Sequence, residues 1–228
     1  MEETTVNESR LKNSVLLRMS IVAALSLLLL IPTFFVESVI DERQQRRDSA
    51  MSEISQSWGA RQTLTGPILT IPFKEYSKDS KGNVSSSEGH AHFLPSRLII
   101  RTVLKPDIRY RGIYEVALYN GQFLIEGEFH AIQFNNLGVA PQNIRWKDAF
   151  VTFGISDLKG VRDTVSLSWN GLSYPTLPGT LSEDVVSSGI TFRPSIAASS
   201  SFSFSLAINL NGSTEISFVP VGEITQVF

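Results

Sequence analysis

A membrane-anchored, mainly β architecture is predicted. One N-terminal transmembrane helix (15–36) continues into a helical stalk (37–59), and an antiparallel β-sandwich-like domain follows (60–228). Three observations predict it. Residues 15–36 read VLLRMSIVAALSLLLLIPTFFV, with Arg18 as the single charge. Residues 37–58 hold no glycine and no proline. Beyond Gly66 the chain breaks into short segments of alternating hydrophobicity, punctuated by three Asn-Gly pairs.

The anchor is argued from length. At ~1.5 Å per residue the run covers roughly 33 Å, enough for a hydrocarbon core of ~30 Å. Arg18 lies near one end and can snorkel to the headgroups. Pro32 is tolerated in a membrane helix when the freed carbonyl finds a partner. The alternative is a cleaved signal peptide, with Lys12 and Arg18 in its n-region and Ile21–Ile31 as its h-region. The run is long for that, and Val36-Glu37-Ser38 lacks the clustered small residues of a cleavage site. Orientation is close to a tie by charge, with Arg10, Lys12 and Arg18 against Arg43, Arg46 and Arg47. A long domain after a first helix translocates largely regardless of charge, which favours residues 1–14 as a cytoplasmic tail.

In the stalk, Val36, Val39 and Ile40 recur at helical spacing, as do Ala50, Met51, Ile54 and Trp58. A polar turn of Arg43, Gln44, Gln45, Arg46 and Arg47 lies between them. The expectation is a helix that leaves the bilayer, crosses a wet zone and docks its second stripe on the domain. Thr65-Gly66-Pro67 then reads as the joint between stalk and sheet.

Within the domain, Ile68, Leu69, Ile71 and Phe73 precede a polar insertion at 78–89, a mobile loop or a hairpin tip. Strands are expected at Leu98–Leu104, at 148–156 and at 163–169. Asn120-Gly121 is expected to turn between Tyr114–Tyr119 and Gln122–Phe129, dividing 113–129 into two strands. Asn170-Gly171 follows the 163–169 strand. The clearest strand is Ser201–Leu210, with Phe202, Phe204, Leu206, Ile208 and Leu210 on one face. Asn211-Gly212 is then expected to turn into Thr214–Val221. Such alternation means one buried and one solvated face.

Composition excludes several functions. The net charge of −2 carries no basic stripe for nucleic acid. With no cysteine, thiolate catalysis, zinc–thiolate sites and disulfides are ruled out. Candidate chemistry is sparse. His90 and His92 form His-x-His, which on a strand places both rings on one face and can supply two metal ligands, with His130 or Glu88 as a third. The plainer reading, a loop histidine and a packed strand-start histidine, is preferred. Glu126 and Glu128 share a strand face and read as surface. Ser156 and Ser182 follow glycines, but no G-x-S-x-G motif occurs, and there is neither a P-loop nor G-x-G-x-x-G. The triplets at Asn7, Asn83 and Asn211 match the glycosylation pattern by chance. No catalytic, cofactor-binding or metal residue is assigned, and no cofactor.

The order of several stretches resembles the N-terminal part of the inner membrane protein CreD family, also described as cell envelope integrity proteins. They are Leu29–Pro32, then Val36–Phe73 with QTLTGPILTIP at its centre. HFLPSRL at 92–98, RYRGIYEVALYNGQFLIEGEF at 109–129, FGISDLKGV at 153–161 and FSLAINLNGS at 204–213 follow. The resemblance implies a cytoplasmic N-terminus, an extracytoplasmic β domain in the bacterial inner membrane and a non-enzymatic role in envelope integrity or stress response. It also implies further membrane helices after the β region, so the chain reads as a fragment. The expected partners are the lipid bilayer and other envelope proteins, with no nucleic acid. Two rival functions stay open: a subunit of a transport or signalling complex that pairs through the stalk, and an envelope hydrolase whose residues come from separate strands.

Overall fold

The computed structural model describes residues 15–78, 80, 83–134, 137–196 and 200–228. The expected tail at 1–14 and Asn7 lie outside them. The chain divides into two compact units, Met1–Ala50 and Met51–Phe228.

The first unit is described from Val15 onward and is helical throughout. It belongs to α1 (Val15–Trp58), a single helix of 44 residues with Pro32 inside it. Leu25, Leu28, Leu29, Phe34 and Phe35 are all exposed, so no face is reserved for a protein core. That all-round apolar surface suits lipid, and α1 is the transmembrane helix of this chain. Past Val36 the surface turns polar, with a Glu42–Arg46 pair at 2.6 Å one turn apart.

The second unit starts with the last turns of α1, which ends where Gly59 N donates to Ser55 O (2.9 Å). Among the described residues, twelve strands then form two six-stranded sheets. In the first sheet, β1 (Gln62–Lys78) is the long spine. It pairs with β2 (Val84–Phe93), β5 (Phe150–Ile155) and β11 (Ile216–Val219). β9 (Gly189–Phe192) and β8 (Leu177–Pro178) extend it beyond β5. The second sheet runs β12 (Ile224–Val227), β3 (Arg97–Arg111), β4 (Tyr114–Phe129), β10 (Phe202–Ser213), β6 (Ser166–Trp169) and β7 (Leu172–Pro175). Most pairs are antiparallel, but β1–β11 and β3–β12 are parallel.

One hydrophobic core joins the two sheets. Leu69, Ile71, Val151, Phe153 and Phe192 come from the first, and Leu98, Ile125, Leu167 and the Phe202–Leu210 alternation from the second. Trp169 stacks on Phe202 at 5.2 Å, and Phe129 meets Trp169 at 5.6 Å and Phe204 at 5.5 Å. Each such ring contributes about 1.5–3 kcal/mol by burial alone.

Three expectations are corrected. Residues 114–129 are one strand, not two. Asn120 faces Asn211 in the β4–β10 register and bonds it side chain to side chain (2.8 Å). Gly121 leaves room for the Phe123 ring, which a Cβ would meet at 2.4 Å. Asn211-Gly212 likewise lies inside β10, and the chain turns only at Thr214, whose φ is +66°. Thr65-Gly66-Pro67 is not the joint. It forms a bulge within β1, where the register against β5 shifts between Thr65 and Ile68 and Gly66 takes φ +113°. Of the two readings of the polar 78–89 insertion, the hairpin holds: it is the far end of the antiparallel β1–β2 pair, with Lys78 opposite Val84 and residues 79, 81 and 82 outside the description. β3 also runs on past Leu104 through Pro106. Pro106 is tolerated because β12 pairs with β3 only over 97–100, leaving an edge there.

Candidate functional site

Two polar constellations stand out in the second unit. The larger is the seat of the helix end. Gln62, the first residue of β1, is 0% exposed. Its Nε2 donates to Asp157 O (3.0 Å) and Asn211 O (3.2 Å), and its Oε1 accepts from Asp157 N (3.2 Å) and Ser156 Oγ (3.3 Å). All four capacities of the amide are used, as burial demands. Asp157 turns its carboxylate the other way, accepting from Ala60 N (2.9 Å) and Lys159 N (3.0 Å). One side chain thus caps a short turn and holds the chain as it leaves α1. Gly160 is required there, because a Cβ would stand 2.2 Å from Asn211 O and 2.6 Å from Gln62 Nε2.

Around this network the helix end is tied side chain by side chain. Trp58 Nε1 donates to Tyr119 O (3.3 Å), and the Ser55 and Ser213 hydroxyls lie 2.8 Å apart. Arg109 lies 5.8 Å above the Trp58 ring, and Arg111 forms a two-pronged pair with Glu53. Arg109 and Arg111 share an outward face of the β3–β4 hairpin with Val116 and Leu118, both buried, so the helix end covers that patch. The Tyr119 hydroxyl donates to Glu215 O (2.9 Å). Burial pushes the Tyr119 phenol well above its ordinary range, with the Glu215 carboxylate adding to that and the Gln62 backbone opposing it. The phenol therefore stays neutral and keeps donating. Nothing in this seat pairs a nucleophile with a base; it is a saturated network whose work is to hold.

The smaller constellation gathers the predicted histidines. Ala91 points into the core, so Glu88, His90 and His92 line the outward face of β2. The ring centroids of His90 and His92 are 6.3 Å apart. Their common neighbour is Asp184, from the segment between β8 and β9. His90 Nδ1 lies 2.8 Å from Asp184 Oδ2 and His92 Nε2 lies 3.8 Å from it. Thr70 Oγ1 sits 3.0 Å from His92 Nδ1. Burial, together with His90, lowers the His92 pKa, and Asp184 opposes the shift. Hydrogen bonds from Ser182 and His90 hold the Asp184 carboxyl below its ordinary value.

The remaining candidates are scattered. Glu88 pairs with Arg145 (2.8 Å) instead of joining the histidines. His130 is exposed and shares with His92 a groove of about 590 Å³ at one end of the sandwich. Among the described residues, no three His, Asp or Glu side chains are arranged to hold a metal ion. Glu126 pairs with Arg101, and the carbonyl of Glu128 accepts from Ser96 N (2.8 Å) and Oγ (3.0 Å). Ser182 donates to Asp184 Oδ2 (2.6 Å), which puts the carboxylate between serine and histidine. A nucleophilic serine needs the imidazole next to it instead. Ser156 is spent on Arg61 O (3.1 Å) and Thr63 N (2.9 Å). Asn211 is buried in the seat and closed to glycosylation. A shallow, mostly apolar groove of about 720 Å³ crosses the outer face of the second sheet by Val103, Leu124 and Phe228.

Neither Asp184 nor Gln62 is marked as special by sequence spacing. Asp184 lies 94 residues from its histidine, and Gln62 is one polar residue among many.

Comparison with known proteins gives a consistent result. The family model described as "Inner membrane protein CreD" matches residues 14–228. The "Inner membrane protein CreD" of Escherichia coli (strain K12) is 27% identical over 221 residues, covering 95% of this chain and 49% of that protein. The chain therefore spans about half the length of the curated relative it matches. No solved structure matches.

Proposed function

The chain belongs to the CreD family of inner membrane proteins, and from that premise we propose that it works without catalysing a reaction, as an anchored support of the cell envelope. Its N-terminus faces the cytoplasm and its β domain lies on the extracytoplasmic side, in contact with other envelope components. The observation that carries this reading is the seat. Within the second unit, Glu53, Ser55 and Trp58 are fixed to the sandwich, and the buried polar network beside them is spent on structural bonds. A network whose work is to hold suits a scaffold in envelope integrity or stress response. Glu126, Ser182 and Ser156 are engaged in a surface pair or in structural bonds.

The test is rescue of a strain that lacks the protein, challenged with an envelope stress such as detergent. Ser182→Ala, Glu126→Gln and His130→Gln are expected to rescue as well as the unaltered chain, whereas deletion of residues 15–36 abolishes rescue. Loss of rescue by any one of the three, at normal membrane levels, would show that chemistry is at work.

A further inference from the structure

The chain carries three Asn-Gly pairs, at 120, 170 and 211, and the fold treats one of them differently. In such a pair the next backbone nitrogen meets least steric resistance on its way to the side-chain carbonyl, because glycine has no Cβ. Asn120-Gly121 and Asn211-Gly212 lie within β4 and β10, opposite each other. Asn211 is buried, its carbonyl accepts from Gln62 Nε2, and its Oδ1 accepts from Asn120 Nδ2. The ladder fixes both backbones, so the rotation that ring closure requires needs the sheet to open first.

Asn170 and Gly171 are both exposed and make up the two-residue loop between β6 and β7. A Cβ at Gly171 would meet nothing within 4 Å, so the space around its nitrogen is open. Asn170 Oδ1 accepts from Ser203 N (2.8 Å) and from Ser203 Oγ (3.3 Å). Those donors are aimed at the oxygen on which negative charge develops when the amide carbon is attacked. Asn170 Nδ2, the group that has to leave, has no hydrogen-bond partner among the described residues.

We propose that Asn170 is a site of spontaneous covalent modification, losing ammonia through a succinimide, and that the rearranged product releases the β7 edge. Gly171 N gives up its proton to water and attacks Asn170 Cγ. The new N–Cγ bond closes a five-membered ring. The Cγ–Nδ2 bond breaks, and Nδ2 leaves as ammonia with a proton returned from water. Water then opens the ring at one of two bonds. Cleavage of N–Cγ leaves an aspartate on the original main chain. Cleavage between Gly171 N and the main-chain carbonyl carbon of residue 170 routes the chain through Cγ, as isoaspartate. In sum one water is taken up and one ammonia released, and nothing is oxidised or reduced.

The two products differ in consequence. Aspartate keeps an oxygen facing Ser203 N and leaves the loop length unchanged. Isoaspartate adds a methylene to the main chain of a loop whose two residues set the Trp169–Leu172 register. β6 stays in place, since β10 pairs with it and Trp169 is buried in the core. β7 pairs with β6 alone, so it is the strand that comes away.

Ageing the full chain in detergent micelles at mildly alkaline pH tests this, with the three sites read by peptide mass spectrometry. Asn170 is expected to deamidate at least about tenfold faster than Asn120 and Asn211, giving both aspartyl and isoaspartyl peptides. In urea the three rates are expected to converge, because each site is then an open Asn-Gly pair. Hydrogen exchange of the isoaspartyl fraction is expected to show lost protection at Leu172–Pro175, with Phe202–Leu210 unchanged. Three results overturn the proposal: an Asn170 that reacts no faster than Asn211 in the folded chain, a rate difference that persists undiminished in urea, or full protection of Leu172–Pro175 in the isoaspartyl fraction.

Discussion

Gln62 shows what a single side chain does in this molecule. Its amide satisfies two carbonyls, one backbone N–H and one hydroxyl in a place water does not reach. Replacing it with leucine keeps the volume but takes the partner from Asp157 N and Asn211 O, each at about 1–3 kcal/mol, while the Ser156 hydroxyl keeps Arg61 O and Asp157 O keeps Gly160 N. Gln62→Leu is therefore expected to lower stability by about 2–4 kcal/mol in urea unfolding of the full chain in micelles. A loss below about 0.5 kcal/mol would mean that the seat holds by other contacts. None of this was legible from residue type. The same limit explains Asp184, since two histidines two residues apart announce a shared strand face but not the carboxylate brought to it from another loop.

Among the elements, the strands with strict alternation were readable because a period of two and a buried face are the same fact. β10 is the clearest case, its five apolar residues all buried in the sandwich core. The Asn-Gly pairs divide differently. Asn170-Gly171 is a true hairpin turn between β6 and β7, with φ of +48° and +80°. Asn120-Gly121 and Asn211-Gly212 carry the same letters but lie opposite each other in paired strands. There the asparagines bond each other and the glycines make space for Phe123 and Tyr119. Local sequence favours a turn at all three, and cross-strand packing overrides it at two. The substitutions should separate accordingly. Gly171→Ala meets nothing within 4 Å and costs only its left-handed backbone, about 1 kcal/mol. Gly212→Ala would place a Cβ 2.1 Å from Tyr119 Oη and is expected to cost about 3 kcal/mol. Equal losses in urea unfolding would contradict this assignment. The short strands β7, β8, β9 and β12 were missed because two to four residues carry too little alternation to count.

At the scale of the whole molecule, the anchor and the mainly β domain were readable because each depends on a sum over many residues: apolar length for one, repeated alternation for the other. The pairing of strands was not. The parallel partners β1–β11 and β3–β12 join residues more than a hundred positions apart, and no local signal encodes such a contact. The side of the membrane is also a property of the whole chain, and the near-tie of flanking cations makes it the point most open to experiment. The chain has no cysteine, so single-cysteine variants report position without background. In intact spheroplasts treated with a membrane-impermeant maleimide, Ser87→Cys on exposed β2 is expected to be labelled, and Ser9→Cys only after permeabilisation. Labelling of Ser9→Cys with protection of Ser87→Cys would place the β domain in the cytoplasm and contradict the proposed envelope role.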